Sequence, residues 1–267
     1  MFIADCHSHC LHSHDSKTPV KEMLDGAVKK GAGYLALTDH CDKDCVLIPG
    51  FEWVRQIDLD AHIQELDKVK QEYTGVIEVG IGLELGYYAP AGDMYAEITR
   101  KYPTDVIINS VHIVNCEDCY YPSYFERDRA LAYGDYLRAV RRSIDAPYNY
   151  DIIGHIGYVA RKAPYSDRAL RYSEFPEMID DILKAIIDKG KALEVNGRGP
   201  DGTYAPTFDI VKRYRQLGGE LVTFGSDAHN PDYILINYDK VVEGLKAAGF
   251  RYIFRYLNHR PIGERII

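Results

Sequence analysis

Residues 2–9 read FIADCHSH, a short apolar run that breaks into His7-x-His9. Alternate side chains of an extended segment share a face, so His7 and His9 can reach one metal ion, with Asp5 on the same parity as a carboxylate able to orient a ligand imidazole. The same pattern, a strand-length apolar run that nearly always ends in groups able to bind metal, recurs along the chain. It appears in YLALTDH (34–40), VGIGLELG (79–86), VIINSVHIV (106–114), DIIGHIG (151–157), ALEVNGR (192–198) and LVTFGSDAH (221–229). Between these runs lie helical patterns at 18–31, 58–75, 127–145, 174–190 and 206–219. In the first of them Thr18 is placed to cap, Pro19 suits the first turn and Gly31 the exit. About seven β-α units predict a parallel sheet, either open or closed. The polar residues decide between the two: His7, His9, Asp39, His40, Glu84, His112, His155, Asp227 and His229 all fall near strand ends. A barrel gathers those ends at one mouth, whereas an open sheet uses a single switch point.

The 267 residues suffice for one α/β barrel, and no Gly/Ser/Pro-rich linker divides them, so residues 1–267 are expected to form a single domain. Hydrophobic residues make up 46% and charged residues 27%, a composition that supports a large core. Lys+Arg 32 against Asp+Glu 40 gives −8, which disfavours bulk attraction to nucleic acid or an anionic membrane. With no basic leader or long apolar stretch, the expected location is the cytoplasm. Six cysteines in such a chain read as reduced thiols, Cys116-x-x-Cys119 included, because a single pair lacks the partner pair of a zinc site.

Imidazoles and carboxylates without a matched thiolate set suit zinc, manganese or iron. His12, His14, His62 and His259 fall outside the strand-end pattern and are expected at the surface or behind the ligands. Arg161, shortly after His155, and Arg198, after the sixth run, lie on loops at the same mouth and could clamp phosphate oxygens. Residues 41–53, CDKDCVLIPGFEW, follow His40 as a candidate lid.

Taken together, DCHSH, TDH, GLELG, SVH, IGHIG and SDAH resemble the motifs of the polymerase and histidinol phosphatase (PHP) superfamily, in order along nearly the whole chain. HDSKTP, GHIGYVARK and LEVNGRG look most like its histidinol-phosphatase branch. The resemblance implies a distorted (β/α)7 barrel with two or three divalent metal ions (Zn, Mn or Fe) at the C-terminal ends of the strands. It assigns His7, His9, Glu84 and Asp227 to one ion, bridging Glu84 with His112 and His155 to a second, and Asp15, His40 and His229 to a third, with Asp39 behind them. The activity implied is a phosphomonoesterase acting on L-histidinol phosphate in histidine biosynthesis. Hydroxide held among Glu84, Asp227 and His229 would be the nucleophile, and Arg161 and Arg198 would bind the substrate. The expected partner is then a small phosphorylated molecule rather than nucleic acid or a membrane. Three other readings compete. An amidohydrolase-like enzyme would normally have eight strands and often a bridging lysine; a phosphoesterase could act on another small ester or on nucleic-acid ends; a non-catalytic metal-binding module would tend to have lost ligands.

Overall fold

The structure, a computed structural model, describes residues 2–266, so Met1 and Ile267 of the expected domain lie outside the described residues. All seven runs form strands of one parallel sheet: β1 (Ala4–Asp5), β2 (Tyr34–Cys41), β3 (Glu78–Gly86), β4 (Val106–Ser110), then, past a small hairpin of β5 (Ile113–Val114) and β6 (Glu117–Asp118), β7 (Ile152–Ile153), β8 (Ala192–Asn196) and β9 (Val222–Gly225). Neighbours in space follow chain order, as expected when each strand is returned by a crossover. The sheet curls until its ends meet. Cys6 N donates to Phe224 O at 2.8 Å, Asp227 N to His7 O at 2.7 Å, and Ser8 bridges Ala228 in parallel. The result is a nearly closed (β/α)7 barrel, not an open sheet.

Strand β3 explains how the interior accommodates both a plug and a carboxylate. Its alternation puts Val79, Ile81, Leu83 and Leu85 on the outer face and Gly80, Gly82, Glu84 and Gly86 inside. A Cβ on Gly80 would meet Tyr34 Oη at 2.2 Å, so glycine is what lets the Tyr34 ring cross the barrel. Tyr34 donates to Tyr256 O at 2.8 Å, and with Cys6, Ala36, Val106, Ile108, Ile152 and Ala192 these rings pack the lower interior. Tyr256 comes from an antiparallel hairpin, β10 (Tyr252–Leu257) and β11 (Arg260–Arg265), that seals the bottom.

Outside run α1 (Val20–Lys29), α3 (Leu59–Glu72), α4 (Gly92–Lys101), α5 (Arg129–Ser143), α6 (Pro176–Asp188), α7 (Phe208–Gln216) and α8 (Tyr238–Ala248), while the single turn of α2 (Asp44–Leu47) lies at the mouth. Amphipathic spacing explains them: α6 buries Ile179, Ile182, Leu183 and Ile186 on one stripe. Asp58 caps α3 by accepting from Ala61 N at 3.0 Å. Thr18 does not cap α1. Pro19 occupies that position, and Thr18 Oγ1 instead donates to His229 O at 3.0 Å, tying the start of α1 to the barrel mouth. All six cysteines are unlinked; Cys116 is exposed and Cys119 buried. No helix among the described residues is long and apolar enough to cross a membrane.

Candidate metal centre

The upper mouth of the barrel brings every expected ligand together. Glu84 is fully buried and ringed by imidazoles: its carboxylate lies 2.8 Å from His155 Nε2, 3.3 Å from His112 Nε2, 3.3 Å from His7 Nε2, 3.0 Å from His40 Nδ1 and 3.5 Å from His9 Nε2. The parallel register pairs Glu84 with His40 across β2 and β3, so the strand alignment itself creates part of the site. Asp227, which adopts a left-handed φ of 53° in the loop after β9, reaches His9 Nε2 at 3.2 Å. Asp15 Oδ2 stands 2.9 Å from His229 Nε2 and 3.8 Å from His40 Nε2.

Four groups have donor atoms mutually within 4.8 Å: His7 with His9 and Asp227, His7 with Glu84 and His155, His9 with His40 and His229, and His40 with Asp42 and His112. Buried His7 Nε2, His9 Nε2, His40 Nδ1, Glu84 Oε2 and His229 Nε2 have no hydrogen-bond partner among the described residues. Buried polar atoms without partners are costly, and here they converge on shared space, so the donor set fits divalent cations. Protonation agrees. Burial alone would raise Glu84, but the charges of His7, His112 and His40 hold it well below the usual carboxylate range. Burial likewise opposes ionisation of Asp227, yet Arg161 and His7 keep it ionised. His9 is lowered to about 3, first by burial and then by the charges of His229 and His40, which leaves a neutral ring with a lone pair.

Two residues behind the ligands differ from the sequence reading. Asp5 does not touch the His7 ring; it accepts from His7 N, Ser226 N and Leu235 N, fastening the backbone of β1 to the loops after β9. The His7 ring is held by Glu194, whose Oε1 lies 2.6 Å from Nδ1. Glu194 was not singled out from the sequence, although an acid inside ALEVN, a strand otherwise apolar up to its last residue, is the signal that would have found it. Asp42 was also missed. Asp39 does lie behind the ligands as expected, on Ser13 and His62. Of the other histidines, His62 is fully buried, His12 meets Glu65, His14 meets Asp42 at the mouth, and His259 lies on Asp151 at the opposite end.

A cavity of about 600 Å³ opens over the centre. Both Arg161 and Arg198 line it. Arg161 Nη1 pairs with Asp227 Oδ2 at 2.6 Å and Nη2 donates to Asn196 Oδ1 at 3.0 Å, while Arg198 Nη1 donates to Asp227 O at 2.9 Å. Residues 41–53 form the facing wall, contributing Asp42, Asp44, Phe51 and Trp53, with Asp118 and Tyr121 beside them. The lining combines two arginines with acids and aromatic rings, Arg161 lying over Tyr158 at 5.2 Å and Arg198 over Tyr233 at 5.8 Å.

A parallel barrel with buried imidazoles and carboxylates converging on shared centres at its C-terminal mouth defines a divalent-metal enzyme of the phosphoesterase class. The chain belongs to the PHP domain family, whose model matches residues 5–198. Asp227 and His229 lie beyond that span, yet the fold returns them to the same centre. The chain is 29% identical over 250 residues to the histidinol-phosphatase of Lactococcus lactis, covering 92% of this chain and 91% of that protein. It is 28% identical over 255 residues to a protein of Clostridium acetobutylicum named "Probable histidinol-phosphatase", covering 94% of this chain and 96% of that one. Among solved structures it is similar to the Lactococcus lactis histidinol phosphate phosphatase complexed with zinc, L-histidinol and phosphate. That match has a TM-score of 0.85, with 27% identity over 97% of this chain and 98% of that one.

Proposed function

We propose that this chain hydrolyses L-histidinol phosphate to L-histidinol and inorganic phosphate, as a step of histidine biosynthesis. The observation that carries the reading is the near full-length likeness to a histidinol phosphate phosphatase that holds zinc, L-histidinol and phosphate. On this reading His7, His9, Glu84 and Asp227 would hold one ion, Glu84 with His112 and His155 a second, and Asp15, His40 and His229 a third. When bound, such ions neutralise phosphoryl charge and make a water acidic enough to be a nucleophile near neutral pH.

The chain's own groups do the rest. Arg198 and Arg161 offer forked donors to the non-bridging phosphate oxygens, Arg161 exchanging some of its bonds to Asp227 and Asn196 for them. Asp42, Asp44 and Asp118 on the facing wall accept from the ammonium and imidazole of the substrate, and Trp53 and Tyr121 cover its ring. Residues 1–267 work as one barrel domain in the cytoplasm, on a free small molecule rather than nucleic acid or a membrane. The net charge of −8 supports that choice.

The test compares kcat/KM for histidinol phosphate, small sugar phosphates and p-nitrophenyl phosphate with metal-reconstituted enzyme. The expected preference is at least about tenfold, roughly 1.4 kcal/mol of transition-state binding. Equal or lower efficiency on histidinol phosphate removes the substrate assignment and leaves a broader phosphoesterase.

A further inference from the structure

Three imidazoles of the centre are backed by three different groups. His7 Nδ1 faces the Glu194 carboxylate at 2.6 Å and His229 Nδ1 donates to Asp227 O at 3.0 Å; both backers accept only, so each fixes a ring hydrogen directly. His9 Nδ1 meets the Ser13 hydroxyl at 3.1 Å. A hydroxyl both donates and accepts, so Ser13 alone cannot choose the tautomer of His9.

The choice is made one residue further back. Asp39 is fully buried, and its Oδ1 accepts from Cys10 N at 2.7 Å, Ser13 N at 3.1 Å and Ser13 Oγ at 2.7 Å. The single Ser13 hydroxyl hydrogen is thereby committed to Asp39. What remains on that oxygen are lone pairs, one accepting from His40 N at 3.0 Å and the other facing His9 Nδ1, which must then carry the hydrogen. His9 Nε2 is left bare, 3.2 Å from Asp227 Oδ1. On the far side, Asp39 Oδ2 meets Cys10 Sγ at 3.0 Å and His62 Nε2 at 3.2 Å, and His62 reaches there from the outer helix α3.

We propose that Asp39 and Ser13 form a hydrogen-ordering pair that fixes His9 as the Nδ1–H tautomer and so presents Nε2 to a divalent cation, with His62 pinning the second Asp39 oxygen. Ser13, Asp39 and His62 are positioning residues and touch no substrate. The arrangement ties a helix on the outside of the barrel to the affinity of the metal centre, through four side chains in sequence: His62, Asp39, Ser13, His9.

The test uses the full chain labelled with 15N-histidine, stripped with chelator and then loaded with zinc. Long-range 1H–15N spectra of the stripped protein report which ring nitrogen carries hydrogen, and competition with a chromophoric chelator reports zinc affinity. Wild type is expected to show His9 as Nδ1–H. Ser13→Ala is expected to lose that preference and to bind zinc about 10–100-fold more weakly. Ser13→Thr, which keeps a hydroxyl, restores both readings. Unaltered zinc affinity in Ser13→Ala, or retention of the Nδ1–H form there, overturns the proposal. Should Ser13→Ala not fold, His62→Leu and His62→Gln decide: Leu weakens zinc binding and Gln, which still donates to Asp39, recovers it. Wild-type affinity in His62→Leu overturns the proposal as well. Neither reading involves a substrate, so a negative result on histidinol phosphate leaves this outcome independent.

Discussion

Glu84 carries more of the centre than any other side chain, because five imidazoles lie within 3.5 Å of one carboxylate. Replacing it with Gln keeps the volume and exchanges the anion at the middle of those rings for a neutral amide. Metal content and turnover are expected to fall together, turnover by at least about tenfold, roughly 1.4 kcal/mol. Elemental analysis alongside a phosphate-release assay checks this, and a fully metallated Glu84→Gln variant with normal turnover would show that Glu84 is not the bridge. Glu84 was legible in the sequence because it stands near the end of a strand-length apolar run, where a barrel gathers its polar groups, and an acid between two leucines has no apolar reason to be there. Glu194 obeys the same logic but was passed over, since its role is visible only once closure sets β8 one strand from β1, with Gly225 of β9 leaving room for Glu194 to reach His7. Thr18 failed for a related reason. Capping preference is local, and the His229 carbonyl that took the hydroxyl is 211 residues away in sequence.

At the scale of elements, the seven strands were readable from their apolar runs, while the hairpin of β10 and β11 was not singled out. Its strands present mostly exposed or half-buried side chains, so it lacks the continuous apolar signature of the barrel strands. Its two-residue turn puts Asn258 and His259 at positive φ, 47° and 60°, which suits a tight hairpin. The turn is bound to the barrel floor: His259 N donates to Asp105 O at 2.9 Å and His259 Nδ1 to Asp151 Oδ2 at 2.8 Å. The hydrogen bond to Asp151 raises the imidazole above its ordinary 6.5, with burial opposing. A raised folded value means the contact stabilises fully below pH 6.5 and fades as pH climbs through the folded value. His259→Asn keeps the left-handed turn and removes the titrating ring. Urea unfolding of the two proteins should therefore differ most at mildly acid pH and converge at alkaline pH; a gap that stays constant across that range would contradict the assignment.

For the molecule as a whole, cations that bind only the folded barrel add to its stability by mass action. At a free ion concentration of about 100 times Kd the gain is about 2.7 kcal/mol, worth roughly 5–10 °C in thermal midpoint for a chain of this size. Chelation should lower the midpoint by that order, and added zinc should restore it. A midpoint indifferent to chelator in a protein shown to have lost its metal would mean that the empty centre is already relaxed.

The seam between β1 and β9 adds a consequence in time. Ser226 N binds Asp5 Oδ1 although the two are 221 residues apart, and the same closure brings Asp227 to His7 and His9. During synthesis His7 and His9 leave the ribosome early and wait, unshielded and able to take up stray ions, until the ninth strand emerges to complete their cage. Long-range closure of this kind is slow. A nascent chain arrested before residue 227 would carry His7 and His9 but lack Asp227, the acid that the finished barrel sets beside them.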